Sequence, residues 1–214
     1  MPLAYWGVTM SLVPGSDVTR PPTAGPKLTH DDLVYFPDDG KRHELIDGEH
    51  YVTPSPNLKH QAIVANLVAL LWAHLDHHPV GQVFSAPFDV VFSDFDVVEP
   101  DVLYVSHARR RAVLTLQNIQ GAPDLVVEVG SPGTRRRDER LKHQLYERFG
   151  VSEYWVVDPD LDVVKVFRLV DGRYARAQEL ALEAGDVVTT PLLPDLAIPL
   201  RQVFKNVDVD PTTS

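Results

Sequence analysis

The chain has no cysteine among its 214 residues. Disulfides, Cys-ligated zinc, iron–sulfur clusters and thiol nucleophiles are therefore excluded together. Any metal site must be built from carboxylates, histidines, carbonyls and water. No run approaches the roughly 18 to 20 consecutive apolar residues of a membrane span. The opening MPLAYWGVTMSLVPG has neither the basic start nor the long apolar stretch of a secretory signal. A cytoplasmic protein with no membrane partner is expected, and either Met1 or Met10 can be its start. Neither GxGxxG, nor GxxxxGK followed by Ser or Thr, nor GxSxG occurs, which disfavours a nucleotide cofactor and serine-hydrolase chemistry. Positive charge is also scarce. With 20 Lys and Arg against 30 Asp and Glu the net charge is −10, which argues against broad, charge-driven binding to nucleic acid. The deficit is uneven: residues 107–148 hold nine Lys and Arg against five acids, so a local basic patch remains.

What is present is a globular composition, 44% hydrophobic and 23% charged, long enough to bury a core without staples. Residues 1–26 are rich in Pro, Gly, Ser and Thr and predict a flexible arm. Residues 27–204 predict a single domain, and 205–214 a polar tail. Thr29 before HDDLVYF predicts an N-cap and a short helix that ends at Pro37. HELIDGEHYVT predicts a hairpin turning at Asp47-Gly48. Ile63, Val64, Leu67, Leu70, Leu71 and Leu75 recur at helical spacing between Asn57 and His78. Strand-like runs follow at QVFSAPFDVVF and VVEPDVLYV, while residues 107–120 are ambiguous. PDLVVEV and EYWVVD have the near-continuous apolar pattern of strands covered on both faces. Between them a helix runs from about Arg137 to Phe149 and stops at Gly150. A hairpin turn is expected at Asp171-Gly172 and a further turn at Gly185-Asp186, before VVTT. The order predicts an α/β fold, a mixed sheet flanked by helices.

Two acids occupy strands where solvated side chains are not expected: Asp101, after Pro100, and Glu128, inside LVVEV. A buried, unpaired carboxylate costs several kcal/mol or takes up a proton, so each needs a cation or donors. If their strands are neighbours, the two can converge on a hard, oxygen-loving ion such as Mg²⁺ or Mn²⁺. Each alone has an ordinary alternative, a turn cap for Asp101 and an arginine partner for Glu128. Asp124 shares strand parity with Glu128 and also follows a proline; a structural role at the strand's entry is expected for it. The nine histidines show no paired spacing with acids that predicts zinc.

The series HELIDGE, SPNLKHQAIVANLVALL, EPDVLYV and GAPDLVVEVGSPGTRRRDERLKHQLYERFGVSEYWVVDP resembles the Uma-type restriction endonucleases, within the PD-(D/E)XK nuclease superfamily. The likeness covers roughly residues 28–204, and the block from Gly121 to Pro159 is its most specific part. It implies a restriction-endonuclease-like fold in which Asp101 and Glu128 hold the metal. The usual superfamily lysine, two residues after the second acid, is replaced here by Gly130. The resemblance puts Lys142, on the following helix, in its place; the alternative for Lys142 is an exposed i,i+4 pair with Asp138. As a border residue it is expected to contribute little to stability. Glu44 and His60 also match family positions. Glu44 would complete or orient the metal shell, or be a solvent-facing strand residue. His60 would be a supporting donor, a phosphate contact, or a partly buried polar residue. In the basic turn, Ser131 and Thr134 can cap the helix or meet phosphate, and Arg135, Arg136 and Arg137 can line a nucleic-acid path or simply be solvated.

These features together predict a divalent-metal-dependent endonuclease acting on DNA, working as a homodimer because two-fold pairs cut two strands. Two other functions remain open: a decayed nuclease fold kept for partner binding or assembly, and a hydrolase of small phosphate esters.

Overall fold

The computed structural model describes residues 26–53, 55–130 and 135–207, without the side chains of 135–138. Most of the expected arm and tail, and Ser131 and Thr134, lie outside the described residues. Thr29 starts a 3-10 helix, His30–Tyr35, in which Asp32 Oδ2 accepts from the Thr29 N–H and hydroxyl. Strands β1 (Arg42–Ile46) and β2 (Glu49–Thr53) form the expected hairpin. Asp47 and Gly48 both have left-handed φ, 53° and 73°, the conformation that a two-residue type I′ turn requires. Helix α1 (Leu58–His77) is capped by Asn57, whose Oδ1 accepts from the His60 N–H. Its i,i+4 series Ile63, Leu67, Leu71 and Leu75 is buried.

The two long strand-like runs each break into two. QVFSAPFDVVF gives β3 (Gly81–Ser85) and β4 (Val90–Ser93), and VVEPDVLYV gives β5 (Asp96–Val98) and β6 (Val102–Ser106). A proline has no N–H for a ladder, and Pro87 and Pro100 mark where the chain passes from one sheet to another. The ambiguous segment resolves into α2 (His107–Val113) and β7 (Ile119–Gln120). Strand β8 (Leu125–Val129), helix α3 (Arg135–Phe149) and strand β9 (Glu153–Asp158) then form a crossover, with β8 and β9 parallel. Strands β10 (Val163–Val170), β11 (Arg173–Tyr174), β12 (Gln178–Ala181), β13 (Val187–Thr190) and β14 (Leu193–Pro199) and helix α4 (Leu200–Val203) follow.

A seven-stranded sheet runs β11-β10-β9-β8-β6-β3, with β12 also on β10; a five-stranded sheet runs β2-β1-β5-β4-β7, and β13-β14 form a pair. Alternation along β6 and β8 sends Val102, Tyr104, Leu125 and Val127 into a core with α1, β14 and α4. Leu103, Val105 and Val126 go to the other face, into a core with α3 and the five-stranded sheet. The central strands are thus covered on both sides, as their apolar runs predict. Among the described residues no helix is long and apolar enough to cross a membrane.

Candidate active site

Strands β6 and β8 are antiparallel with Val102 opposite Val127. Asp101 stands immediately before β6, one residue ahead of that pair, and its charge acts on Glu128 of β8. Pro100, which frees the chain from β5, thereby leaves Asp101 at the strand's mouth, 2% exposed. There it joins three layers. Its Oδ2 accepts the Val129 N–H at 2.7 Å and meets His60 Nε2 of α1 at 3.1 Å, while Oδ1 accepts from Arg42 Nη1 of β1 at 2.7 Å. Arg42 also donates to the Glu99 carbonyl at 3.0 Å.

Helix α3 supplies the second half. Lys142 Nζ lies 2.8 Å from Glu44 Oε1 and 2.9 Å from Glu128 Oε1, and its side chain is 12% exposed. One turn on, the Tyr146 hydroxyl donates to the same Glu128 oxygen at 2.5 Å. Glu44 Oε1 also accepts the Glu99 N–H at 2.9 Å. At the position of the usual lysine, Gly130 uses its N–H to bond the Val157 carbonyl at 2.8 Å, holding the end of β8 to β9. The cation that meets Glu128 comes from helix α3. The geometry also corrects the expectation that Lys142 matters little for stability. It is not a border residue but the counter-ion of two carboxylates that have little access to water.

The acids in this cluster have separated electrostatics. Burial alone would raise the Asp101 pKa, but the His60 hydrogen bond, the Arg42 charge and the Val129 N–H outweigh it and hold this carboxyl below its usual range. Glu128 is pushed the other way, by burial and by its neighbours Asp101 and Glu44, with Lys142 and Tyr146 only partly compensating. Burial would discharge Lys142, yet Glu128 and Glu44 keep it firmly protonated. Glu99 is pushed up to about 7 by burial, Asp89 and Glu44.

A pH dependence of stability follows. A carboxyl raised on folding binds more protons folded than unfolded between its unfolded value, 4.5 for Glu99, and about 7. Its stabilising share is present below the lower value and is lost as pH rises through the upper one. Metal-free protein is therefore expected to lose denaturant resistance between about pH 5 and 7.5. Glu99→Gln should flatten that slope, and an unchanged slope would show that Glu99 titrates normally.

Of the residues anticipated from sequence, Glu44, His60, Asp101, Glu128 and Lys142 come together. Arg135, Arg136 and Arg137 lie in the first turn of α3, with side chains outside the described residues. Asp124 is at the opposite end of β8, where its Oδ2 accepts the Ser106 N–H at 2.7 Å. Sequence reasoning missed Arg42 and Glu99. A signal for Arg42 did exist: it lies two residues before Glu44 and so on the same face of the strand.

Among the described residues no three His, Asp or Glu side chains form a ready-made metal cage. The donor chemistry nevertheless fits a hard divalent ion. Asp101 and Glu128 are carboxylates near enough for the charge of one to act on the other, and Mg²⁺ typically takes one or two carboxylates and keeps several waters.

Comparison with known proteins shows the fold and the family. A crystal structure from Anabaena variabilis ATCC 29413, described as "a putative nuclease belonging to DUF820", superposes with a TM-score of 0.69 at 21% identity. The match covers 83% of this chain and 97% of that one, and shows a shared fold. No curated protein matches the chain. Residues 31–201 match the Uma2 family, described as "Putative restriction endonuclease". That span takes in every member of the cluster from Arg42 to Tyr146, and the chain belongs to the Uma2 family.

Proposed function

We propose that the protein is a divalent-metal-dependent endonuclease that hydrolyses phosphodiester bonds in DNA. The observation that carries this is the Lys142 ammonium fixed between Glu44 and Glu128, with the Asp101 charge acting on Glu128. A fixed cation set among buried carboxylates supports phosphodiester hydrolysis, even though the lysine comes from a different element than the usual one. Asp101 and Glu128 would hold Mg²⁺ or Mn²⁺, which when bound supplies a Lewis acid for the phosphoryl oxygen and lowers the pKa of a water.

The chain's own groups do the rest. The Val129 N–H and His60 fix the rotamer of Asp101, and Tyr146 fixes that of Glu128. Glu44 is the second carboxylate that holds Lys142, so that the ammonium is already in place as charge develops on the phosphate oxygens. A fixed charge of this kind costs no reorganisation during the reaction. Water adds to phosphorus and gives up a proton, one P–O ester bond breaks, and the departing oxygen takes up a proton from solvent. Arg135, Arg136 and Arg137, at the start of α3, offer contacts to flanking phosphates. A two-fold pair of chains would present two such sites to two strands.

The test is supercoiled plasmid DNA incubated with Mg²⁺ or Mn²⁺, wild type beside Asp101→Asn, with a chelator control. Nicking or linearisation by wild type alone is expected. Cleavage that survives the chelator or the substitution would overturn the metal mechanism. A metal-indifferent melting temperature together with no cleavage would favour a non-catalytic module.

A further inference from the structure

Asp101 has two oxygens, and their partners differ in kind. Oδ2 is committed to the protein's interior, to the Val129 N–H on its own sheet and to His60 on α1, itself 4% exposed. Oδ1 accepts from Arg42, whose side chain is 17% exposed. Any further cation must approach through Oδ1, and Arg42 is already there. The guanidinium also interacts with the charges of Glu128 and Glu44, so it sits where all three carboxylates call for positive charge. Its second acceptor, the neutral Glu99 carbonyl, would leave it anchored if Asp101 let go.

We infer that Arg42 is a resident cation that changes partner: it holds Asp101 Oδ1 in the metal-free protein and turns to the scissile phosphate when a divalent ion takes that oxygen. The inference rests on the metal-dependent reading above and adds a catalytic residue to it. Charge balance supports the exchange. With Glu99 in its neutral form, Glu44, Asp101 and Glu128 set against Arg42 and Lys142 leave one negative charge. A divalent ion turns this into one positive charge, which a single phosphodiester neutralises. Displaced from Asp101, Arg42 remains beside the site with a planar fork of donors, a geometry suited to two phosphate oxygens. A lysine at this place would offer only a point charge. In the metal-free state the same contact keeps Asp101 from standing uncompensated.

The experiment is calorimetric titration with Mn²⁺ of wild type, Arg42→Met, Arg42→Lys and Asp101→Asn. Affinity for a hydrolysis-resistant phosphorothioate duplex is then measured at saturating Mn²⁺. Arg42→Met is expected to bind Mn²⁺ about tenfold tighter or more, because a competing charge a few ångströms away is gone. It should bind the duplex about tenfold more weakly, since a charge-assisted phosphate contact is lost. Should Arg42→Met fail to fold, Arg42→Lys carries the test. Its shorter, single ammonium cannot hold Asp101 and the Glu99 carbonyl as the guanidinium does, and it should bind Mn²⁺ about threefold tighter than wild type. An arginine that merely braces Asp101 for the metal predicts the opposite sign. Equal or weaker Mn²⁺ binding by the Arg42 variants, with wild type binding well and Asp101→Asn not, overturns the exchange and leaves the nuclease reading standing. No Mn²⁺ binding by any form, wild type included, overturns both.

Discussion

Lys142→Ala is expected to abolish plasmid cleavage, by about a hundredfold or more, and to weaken the fold in a pH-dependent way. The catalytic loss follows from removing a preorganised charge beside the reacting phosphate. The loss of stability follows from what the ammonium leaves behind. Glu44 is 2% exposed, and the Glu128 side chain 13%. Breaking such a pair by removing one partner typically costs about 3 to 5 kcal/mol, because a buried charge is left uncompensated. Glu128, already pushed towards protonation, can escape that cost by taking a proton at low pH. The destabilisation measured by urea titration should therefore be larger at pH 8 than at pH 5.5. Lys142→Arg should fail in cleavage as well. The ammonium is enclosed by Glu44 Oε1 and Glu128 Oε1, with the Tyr146 hydroxyl on the latter, and a planar guanidinium has a different shape and reach. Full cleavage by purified Lys142→Ala would remove the lysine from the mechanism. A loss of stability independent of pH would mean that Glu128 is not the group that suffers.

The elements that brace the site were legible because each rests on local chemistry. The Asp47-Gly48 turn and the i,i+4 series of α1 are decided within a few residues, and the both-faces-apolar pattern of LVVEV and EYWVVD marks the central strands. The errors fell where one apolar run serves two sheets. Pro87 and Pro100 end hydrogen-bonded ladders, yet the apolar pattern continues past them, so QVFSAPFDVVF and VVEPDVLYV read as two strands instead of four. The site itself was only half visible. Acids inside apolar strands announce themselves, because burial demands a partner. The partners do not: Lys142 meets Glu44 across 98 positions of sequence, and Arg42 meets Asp101 across 59. No periodicity carries information over such distances. The family resemblance supplied Lys142, whereas Arg42 had only its shared strand face with Glu44 to mark it.

Glu128→Gln is expected to separate stability from activity. It should lose cleavage by about a hundredfold or more, since a neutral amide is a far poorer ligand for a hard divalent ion. Mn²⁺ should likewise stop raising its melting temperature, as binding linkage requires. Without metal, however, the variant should be at least as resistant to denaturant as wild type above pH 7. The carboxylate it removes is raised by burial and by the nearby charges of Asp101 and Glu44, so ionising it opposes folding there. An amide oxygen can still accept from Lys142 and Tyr146, and Glu44 still balances the ammonium. Below pH 5 the wild-type side chain is itself neutral when folded, and the two proteins should converge. A carboxylate kept where it strains the fold is hard to explain as scaffolding and easy to explain as a waiting ligand. If Glu128→Gln instead destabilises the metal-free protein at pH 8, Glu128 is part of a satisfied ion-pair network. The same fold would then be held together by these carboxylates, and their claim to a metal would rest on cleavage alone.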